Sequence, residues 1–412
     1  MWARRRFLET ISTLPLVGGF IGTSGTLGTV LAEGAAEGAA GGGVAAAAKN
    51  GSDYFRDLGV RPFINASGTY TAMTASLMPP EVMDAIQYAS KHFVMLDELH
   101  DRVGERIASL LKCEAAMVSS GAASAMMVGT AGVLTGLDRE KVGKLPKLDG
   151  MKNEVIIQKS HRFGYDHAVR ACGVTLVEVE TREEMEKAIT DKTAMMLFYN
   201  NNNSVGQIRD EEFVKIGKAR NVPTMNDCAA DVPPVENLWK YTAMGFDLVT
   251  FSGGKGIRGP QSAGMLLGRK DLVAAARLNA PPNASIGRGL KVNKEEMLGM
   301  LVAVELFLKK DFEKEAKDFA ARAEEISKAA TSVAGVKAEV WVPEVANHVP
   351  HIRVSLPADK KAADIVKAMR EGDPSIAIRN EGEQLVMSTW MLRPGEDKIV
   401  AKRLKQVLEA KA

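Results

Sequence analysis

From residue 79 onward the chain alternates between short, continuous apolar runs and longer stretches whose apolar residues recur every three or four positions. The continuous runs at 116–118, 153–158, 174–179, 193–199, 246–250 and 265–267, with a shorter one ending at Asp227, read as strands buried on both faces. Between them lie helical patterns at 79–86, 96–113, 182–189 and 210–220, the second carrying Leu99, Val103, Ile107, Leu110 and Leu111 on one face. Such alternation predicts an α/β protein with a doubly wound, mostly parallel sheet. In such a sheet the carboxyl ends of the strands converge on one crevice, so chemistry is sought there.

The pattern changes at the proline-rich connector Leu278-Asn-Ala-Pro-Pro-Asn-Ala-Ser285. A long helical region follows at 293–334, capped by Asn293 and ended by Gly335. Strands at 336–342, 351–356 and 384–390, with helices at 362–370 and 397–410, make a small C-terminal α/β domain. The expected organisation is a leader over 1–50, a large domain with its N-terminal segment over 51–285, and the small domain over 286–412.

The first fifty residues have a different character. Arg4-Arg-Arg-Phe-Leu-Glu9 precedes a short apolar run at 11–21 that is broken by glycines, and 32–49 is nearly all alanine and glycine. Paired arginines followed, after one residue, by Phe7-Leu8 resemble a twin-arginine signal, with Glu9 where lysine is usual. The expectation is export of a folded protein by the twin-arginine machinery to the periplasm, with Val30-Leu-Ala32 a plausible cleavage site whose exact point the sequence leaves open. Composition adds little to the class: 25% charged and 46% hydrophobic residues are those of an ordinary globular chain. Charge adds more. Three arginines and one glutamate in the first nine residues account for the whole formal charge of +2, so the body is neutral and gives no electrostatic support for nucleic-acid binding. Cys113, Cys172 and Cys228 are odd in number, far apart and set in apolar surroundings, which reads as buried thiols and not as a disulfide framework or a metal site.

Candidate chemistry sits at the strand ends. Ser252-Gly-Gly-Lys-Gly256 places Lys255 in a tight turn between two core strands, where loss of water and a positive neighbour would lower its pKa and let it attack an aldehyde. The competing reading is a glycine-rich hairpin with a solvated lysine. Ser119-Ser-Gly-Ala-Ala123 runs from a strand into an apolar helix, so Ser120, Gly121 and Ala122 form a phosphate cup or simply a helix start. His161 follows a strand and either stacks on a planar ligand or is structural. Asp227 ends a short strand, where a carboxylate needs a cationic partner; Asp231 is its rival. Asn200-Asn-Asn-Asn203 is a polar loop at another strand end, of which one amide reaching a ligand and a plain Asx-rich turn are both open readings. The loop 65–69 packs at a site or an interface, and Arg379 is the arginine placed to hold a substrate carboxylate, with Arg393 in competition. The chain has no Walker A loop, no His-Glu-x-x-His and no Gly-x-Ser-x-Gly elbow.

Taken together, Ile64-Asn-Ala-Ser-Gly-Thr69, Ser119-Ser-Gly-Ala-Ala123, Asn226-Asp-Cys-Ala-Ala230, Ser252-Gly-Gly-Lys-Gly-Ile-Arg-Gly-Pro-Gln-Ser-Ala-Gly264 and Gly287-Arg-Gly-Leu-Lys-Val-Asn-Lys294 resemble the fold-type-I pyridoxal-phosphate enzymes. Within them the chain is similar to the selenocysteine-synthase-like group, which holds L-seryl-tRNA(Sec) selenium transferase and D-glucosaminate-6-phosphate ammonia-lyase. The resemblance runs from about residue 53 to the C-terminus. It implies Lys255 as the aldimine lysine, Asp227 as partner of the pyridine nitrogen, Ser120, Gly121, Ala122 and Ser252 around the phosphate, and His161 stacked on the ring. It also implies a homodimer or larger homo-oligomer, with the loop 65–69 lent across the interface. The activity expected is a lyase acting on a small amino acid or amino sugar acid by β-elimination and deamination. The alternatives are selenium or sulfur transfer of the selenium-transferase type, or another reaction of the cofactor such as transamination or aldol cleavage. Export, the neutral body and the missing extra N-terminal segment expected of a tRNA-binding transferase argue against a tRNA substrate.

Overall fold

The computed structural model describes residues 52–410; the expected export signal and leader lie outside the described residues. Seven strands form the central sheet: β1 (Ala115–Ser119), β2 (Glu154–Gln158), β3 (Thr175–Val179), β4 (Thr193–Tyr199), β5 (Thr224–Asp227), β6 (Leu248–Ser252) and β7 (Gly264–Gly268). Their spatial order is β1-β7-β6-β5-β4-β2-β3, and only β7 runs antiparallel to its neighbours. Burial explains the apolar runs: Ala194 to Phe198 and Met265 to Leu267 are covered on both faces. β3, at the edge, is the most exposed of the seven. Since β1, β4, β5 and β6 all point the same way, their carboxyl ends Ser119, Tyr199, Asp227 and Ser252 come out along one edge of the sheet.

The small sheet contains β8 (Lys337–Trp341), β9 (His351–Ser355), β10 (Arg379–Glu381) and β11 (Gln384–Ser388) in the antiparallel order β10-β11-β9-β8. Ala323, Ile326, Ile352, Val354, Leu385, Met387 and Leu404 bury its inner face beneath helices Phe312–Thr331 and Glu396–Glu409. The helical region expected as one stretch at 293–334 is two helices, Lys294–Phe307 and Phe312–Thr331. Each has its own start: Asn293 and Glu296 form a capping box on the first, and the Asp311 carboxylate accepts the Lys314 N–H at 2.9 Å on the second. The first packs on helices Pro80–Ala89 and Leu96–Leu111 beside the large sheet, and the second on the small one. Ile64–Asn65 pairs in parallel with Ile376–Ala377, which ties the N-terminal segment to the small sheet and carries the following residues to the edge where the strands end.

Candidate active site

A cleft of about 460 Å³ opens at that edge, and Ser120, Gly121, Ala122, Asp227, Ser252 and Lys255 all line it. A larger one of about 650 Å³ lies elsewhere. The smaller is taken as the active site because nucleophile, buried carboxylates and an open helix start meet there.

Lys255 is positioned by its glycines. A Cβ on Gly256 would sit 2.1 Å from the Val232 carbonyl oxygen and 2.8 Å from the Trp390 ring, and one on Gly254 2.5 Å from the Gln261 Cα, so no side chain fits on either neighbour of the lysine. The loop is fastened from the N-terminal segment by the Ser76 hydroxyl donating to the Gly254 carbonyl at 2.6 Å and by Gln261 donating to the Thr71 carbonyl at 3.0 Å. Burial lowers the Lys255 pKa, as expected, but its nearest charges are Asp227 and Asp231, which pull the other way. The expected positive neighbour is absent among the groups acting on it.

Gly121 opens helix Gly121–Thr135 with φ +83°, a left-handed conformation that favours glycine, and a Cβ there would point into open space. Ser120 places no side-chain hydrogen bond over the first amides, so the start of this apolar fifteen-residue helix is open to an anion. Asp227 is buried and held by neutral donors only, the Thr250 hydroxyl at 3.1 Å and the Ala229 N–H at 3.1 Å. Burial raises its pKa, opposed chiefly by the charge of Lys255.

Asp231, the rival, lines the same cleft in a different setting. Asn200 donates to it at 2.6 Å and to the Tyr241 hydroxyl at 2.7 Å, while Asn226 donates to Asn200 at 3.2 Å. Burial pushes its carboxyl up to about 7 against the pull of that amide. A folded-state pKa above the unfolded value means that stability is lost as pH rises through the window up to about 7. Asp231→Asn in the cofactor-free protein is therefore expected to gain thermal stability over the parent progressively from roughly pH 4, the ordinary carboxylate range, up to about 7, and to keep a constant advantage above it. Melting curves that stay parallel across that range would refute it.

Two expected residues are not brought to the cleft. His161 is wholly buried in the short turn Lys159–His161, edge-on to Phe198 with ring centroids 4.5 Å apart, and its Nδ1 accepts the Tyr199 N–H at 3.2 Å. Burial holds its pKa down to about 4, so it is a neutral support under the site. The aromatic walls are Tyr70, Tyr165, Tyr199 and Trp390, with Tyr199 stacked on Phe163 at 4.1 Å. Arg379 lies one ring away: it pairs with Glu381, its guanidinium is 5.5 Å from the Tyr70 ring, and Tyr70 and His351 line the cleft in front of it. Arg393 is in the larger cleft, paired with Glu396. Of the asparagine loop, Asn201 lines the cleft, whereas Asn200 sits behind it supporting Asp231. Ser67, Gly68 and Thr69 of the loop 65–69 form a wall in the same chain, shaped by Asn65, whose side-chain Oδ1 accepts the Ser67 and Gly68 N–H groups at 3.0 and 3.1 Å.

Comparison with known proteins bears on what this cleft serves. The L-seryl-tRNA selenium transferase (SelA) family matches residues 63–334. D-glucosaminate-6-phosphate ammonia lyase of Salmonella typhimurium is 30% identical over 374 residues, covering 86% of this chain and 98% of that protein. L-seryl-tRNA(Sec) selenium transferase of Moorella thermoacetica is 26% identical, covering 85% of this chain and 82% of its own. Among solved structures, D-glucosaminate-6-phosphate ammonia-lyase superposes with a TM-score of 0.76 at 28% identity over 87% of this chain and 98% of that one. A structure of SPT with its PLP internal aldimine shares the fold, with a TM-score of 0.56 at 14% identity over 84% of this chain and 87% of that one. Fold and comparisons define a pyridoxal-phosphate-dependent enzyme, a lyase or a transferase of fold type I. Within that class the chain belongs to the SelA family.

Proposed function

We propose that this chain is a pyridoxal-phosphate-dependent lyase that acts on a small amino acid or amino sugar acid, removing a group at the β-carbon and then ammonia. The observation that carries the reading is the meeting of Lys255, Asp227 and the open start of helix Gly121–Thr135 in one cleft. The residues fit the cofactor: a buried carboxylate held by neutral donors calls for a cation such as a protonated ring nitrogen, and the bare glycine at the helix start leaves room for a phosphate. Ser120, Gly121, Ala122 and Ser252 would hold the phosphate, Asp227 the ring nitrogen and Lys255 the aldehyde carbon. When bound, pyridoxal phosphate supplies an electrophilic carbon for the substrate amine and a ring that withdraws electrons from the adjoining carbon. Lys255, its ammonium form disfavoured by burial, takes the proton from the substrate's α-carbon and returns one to the product. Asp227 would keep a positive charge stable at its carboxylate, and Trp390 and Tyr199 give the same cleft aromatic walls.

The 30% identity with an ammonia lyase whose substrate is a phosphorylated amino sugar acid favours elimination over group transfer. The test is to purify the full chain with its cofactor and follow its spectrum and ammonia release against D- and L-amino acids and amino sugar acids. Release of ammonia from one class supports the reading. Unchanged spectra across the panel would favour a binding protein that has kept the fold without the chemistry, and tight, salt-sensitive tRNA binding would favour the transferase alternative.

Two further parts of the reading concern partners and place. Met83, Tyr88, Phe93, Val94 and Met95 are exposed around helix Pro80–Ala89 and the turn after it, an apolar face suited to a second copy of the chain. Sedimentation showing a monomer at micromolar concentration would contradict a homodimer or larger assembly. Arg4-Arg5 ahead of Phe7-Leu8 supports twin-arginine export to the periplasm, and replacing both arginines by lysine should retain the protein in the cytoplasm on fractionation.

A further inference from the structure

The larger cleft, about 650 Å³, shares one stretch of chain with the active site: Trp390 lines the lysine cleft and Met391, Leu392 and Arg393 line the other. Phe55, Met73, Leu77 and Phe319 give it an apolar wall. Apart from the exposed Lys314, its cations divide into two kinds. Lys310 pairs with Glu315 at 3.0 Å, Arg393 with Glu396 at 2.6 Å, and Arg61 with Asp373 at 3.7 Å. Arg258 and Arg322 have no carboxylate within 4.0 Å among the described residues. They donate instead to the carbonyl oxygens of Trp390 at 3.2 Å and Leu392 at 2.7 Å.

These two guanidinium groups are half-buried and close enough to repel each other; burial lowers the pKa of Arg258, the charge of Glu315 opposes that shift, and the charge of Arg322 adds to it. Two like charges withdrawn from water beside an apolar wall are costly unless an anion joins them. Arg258 is also held at φ +59°, a left-handed backbone that a long side chain adopts only when its surroundings impose it. The guanidinium fork matches the two oxygens of a carboxylate or phosphate.

We propose that this cleft binds a small amphiphilic anion, a carboxylate or phosphate monoester with an apolar tail, its head on Arg258 and Arg322 and its tail along Phe55, Met73, Leu77 and Phe319. The site is separate from the lysine cleft yet linked to it. Arg258 lies three residues beyond Lys255, and both arginines hold the stretch that ends at Trp390, whose ring sits tightly against Gly256. Occupancy of the anion site therefore acts on Trp390, and through it on the wall of the lysine cleft.

The test is calorimetric titration of the full chain, saturated with pyridoxal phosphate so that the helix start in the lysine cleft is filled, using hexyl phosphate, hexanoate and hexanol. Hexyl phosphate and hexanoate should bind with roughly sub-millimolar affinity and hexanol should not. Arg258→Gln and Arg322→Gln should each weaken the anions about tenfold or more. Lys255→Ala, titrated in the same excess of pyridoxal phosphate, should still bind both anions, which separates failure of this proposal from failure of the catalytic reading. Met73→Glu, which sets a carboxylate in the cleft and leaves both arginines in place, should also abolish binding; with Arg322→Gln it carries the test if Arg258→Gln, within the lysine loop, does not fold. Equal affinity in the parent and the arginine variants, loss of binding in Lys255→Ala, or no binding of either anion would overturn the proposal.

Discussion

Lys255→Ala is expected to abolish the visible absorbance of the lysine-linked cofactor and to lower turnover by at least about 10³-fold, since general acid–base catalysis alone contributes roughly 10²–10⁴ and the covalent link is lost as well. The variant should fold. Lys255 is half-buried in a loop whose shape is imposed by its glycines and by the bonds from Ser76 and Gln261, none of which involves the lysine side chain. Its removal relieves a desolvated ammonium but takes from Asp227 and Asp231 the positive charge that lowers their pKa values. Both carboxyls then move further up and stay protonated to higher pH. Lys255→Arg keeps the charge without a usable nucleophile, so it should restore the carboxyl titrations and leave turnover low. A visible band of parental intensity in Lys255→Ala would sink the assignment of the lysine.

The alternation of buried strands and amphipathic helices was enough to place the sheet, because a strand covered on both faces has few polar positions to confuse its reading. It also located the crevice, since parallel strands must end on one edge, and so Ser120, Gly121, Asp227, Ser252 and Lys255 could be found from position alone. What position could not give was direction within a turn. His161 and Tyr199 both stand at strand ends. The short turn Lys159–His161 drives the imidazole under the sheet against Phe198, while Tyr199, stacked on Phe163, keeps its ring on the cleft wall. Arg379 stands back from the cleft for a different reason: the residue that intervenes, Tyr70, is more than three hundred positions away in sequence, and the pairing of Ile64–Asn65 with Ile376–Ala377 brings their segments together. The break between helices Phe312–Thr331 and Lys294–Phe307 was readable, because Asp311 followed by acidic residues is a helix-start signal within an otherwise continuous pattern. Asn200 shows the limit of a composition argument. Four consecutive asparagines describe a turn equally well, and only tertiary packing makes one of them the clamp on Asp231.

Asp227→Asn should move activity and stability in opposite directions. The carboxylate is buried with neutral donors, and burial raises its pKa above the unfolded value. In the cofactor-free protein it therefore costs stability as pH rises above the ordinary carboxylate range, so the asparagine variant, of nearly the same shape, should melt higher at neutral pH. In the function proposed above that charge has a use: with pyridoxal phosphate bound, the carboxylate would stabilise a protonated ring nitrogen. Turnover should fall about 10²–10³-fold, the scale of removing one preorganised electrostatic partner. Adding pyridoxal phosphate should raise the melting temperature of the parent by more than that of the variant, because stabilisation follows the affinity of the folded state for the ligand. The three readouts separate the possibilities. Equal cofactor-induced shifts with parental turnover would remove Asp227 from the ring-nitrogen role and leave Asp231 as the cleft's remaining candidate. A variant less stable without cofactor would show instead that Asp227 is a structural cap whose bonds to Thr250 and Ala229 outweigh its burial. A higher cofactor-free melting temperature, a smaller shift and slower turnover together are what a carboxylate kept for catalysis at the expense of stability requires.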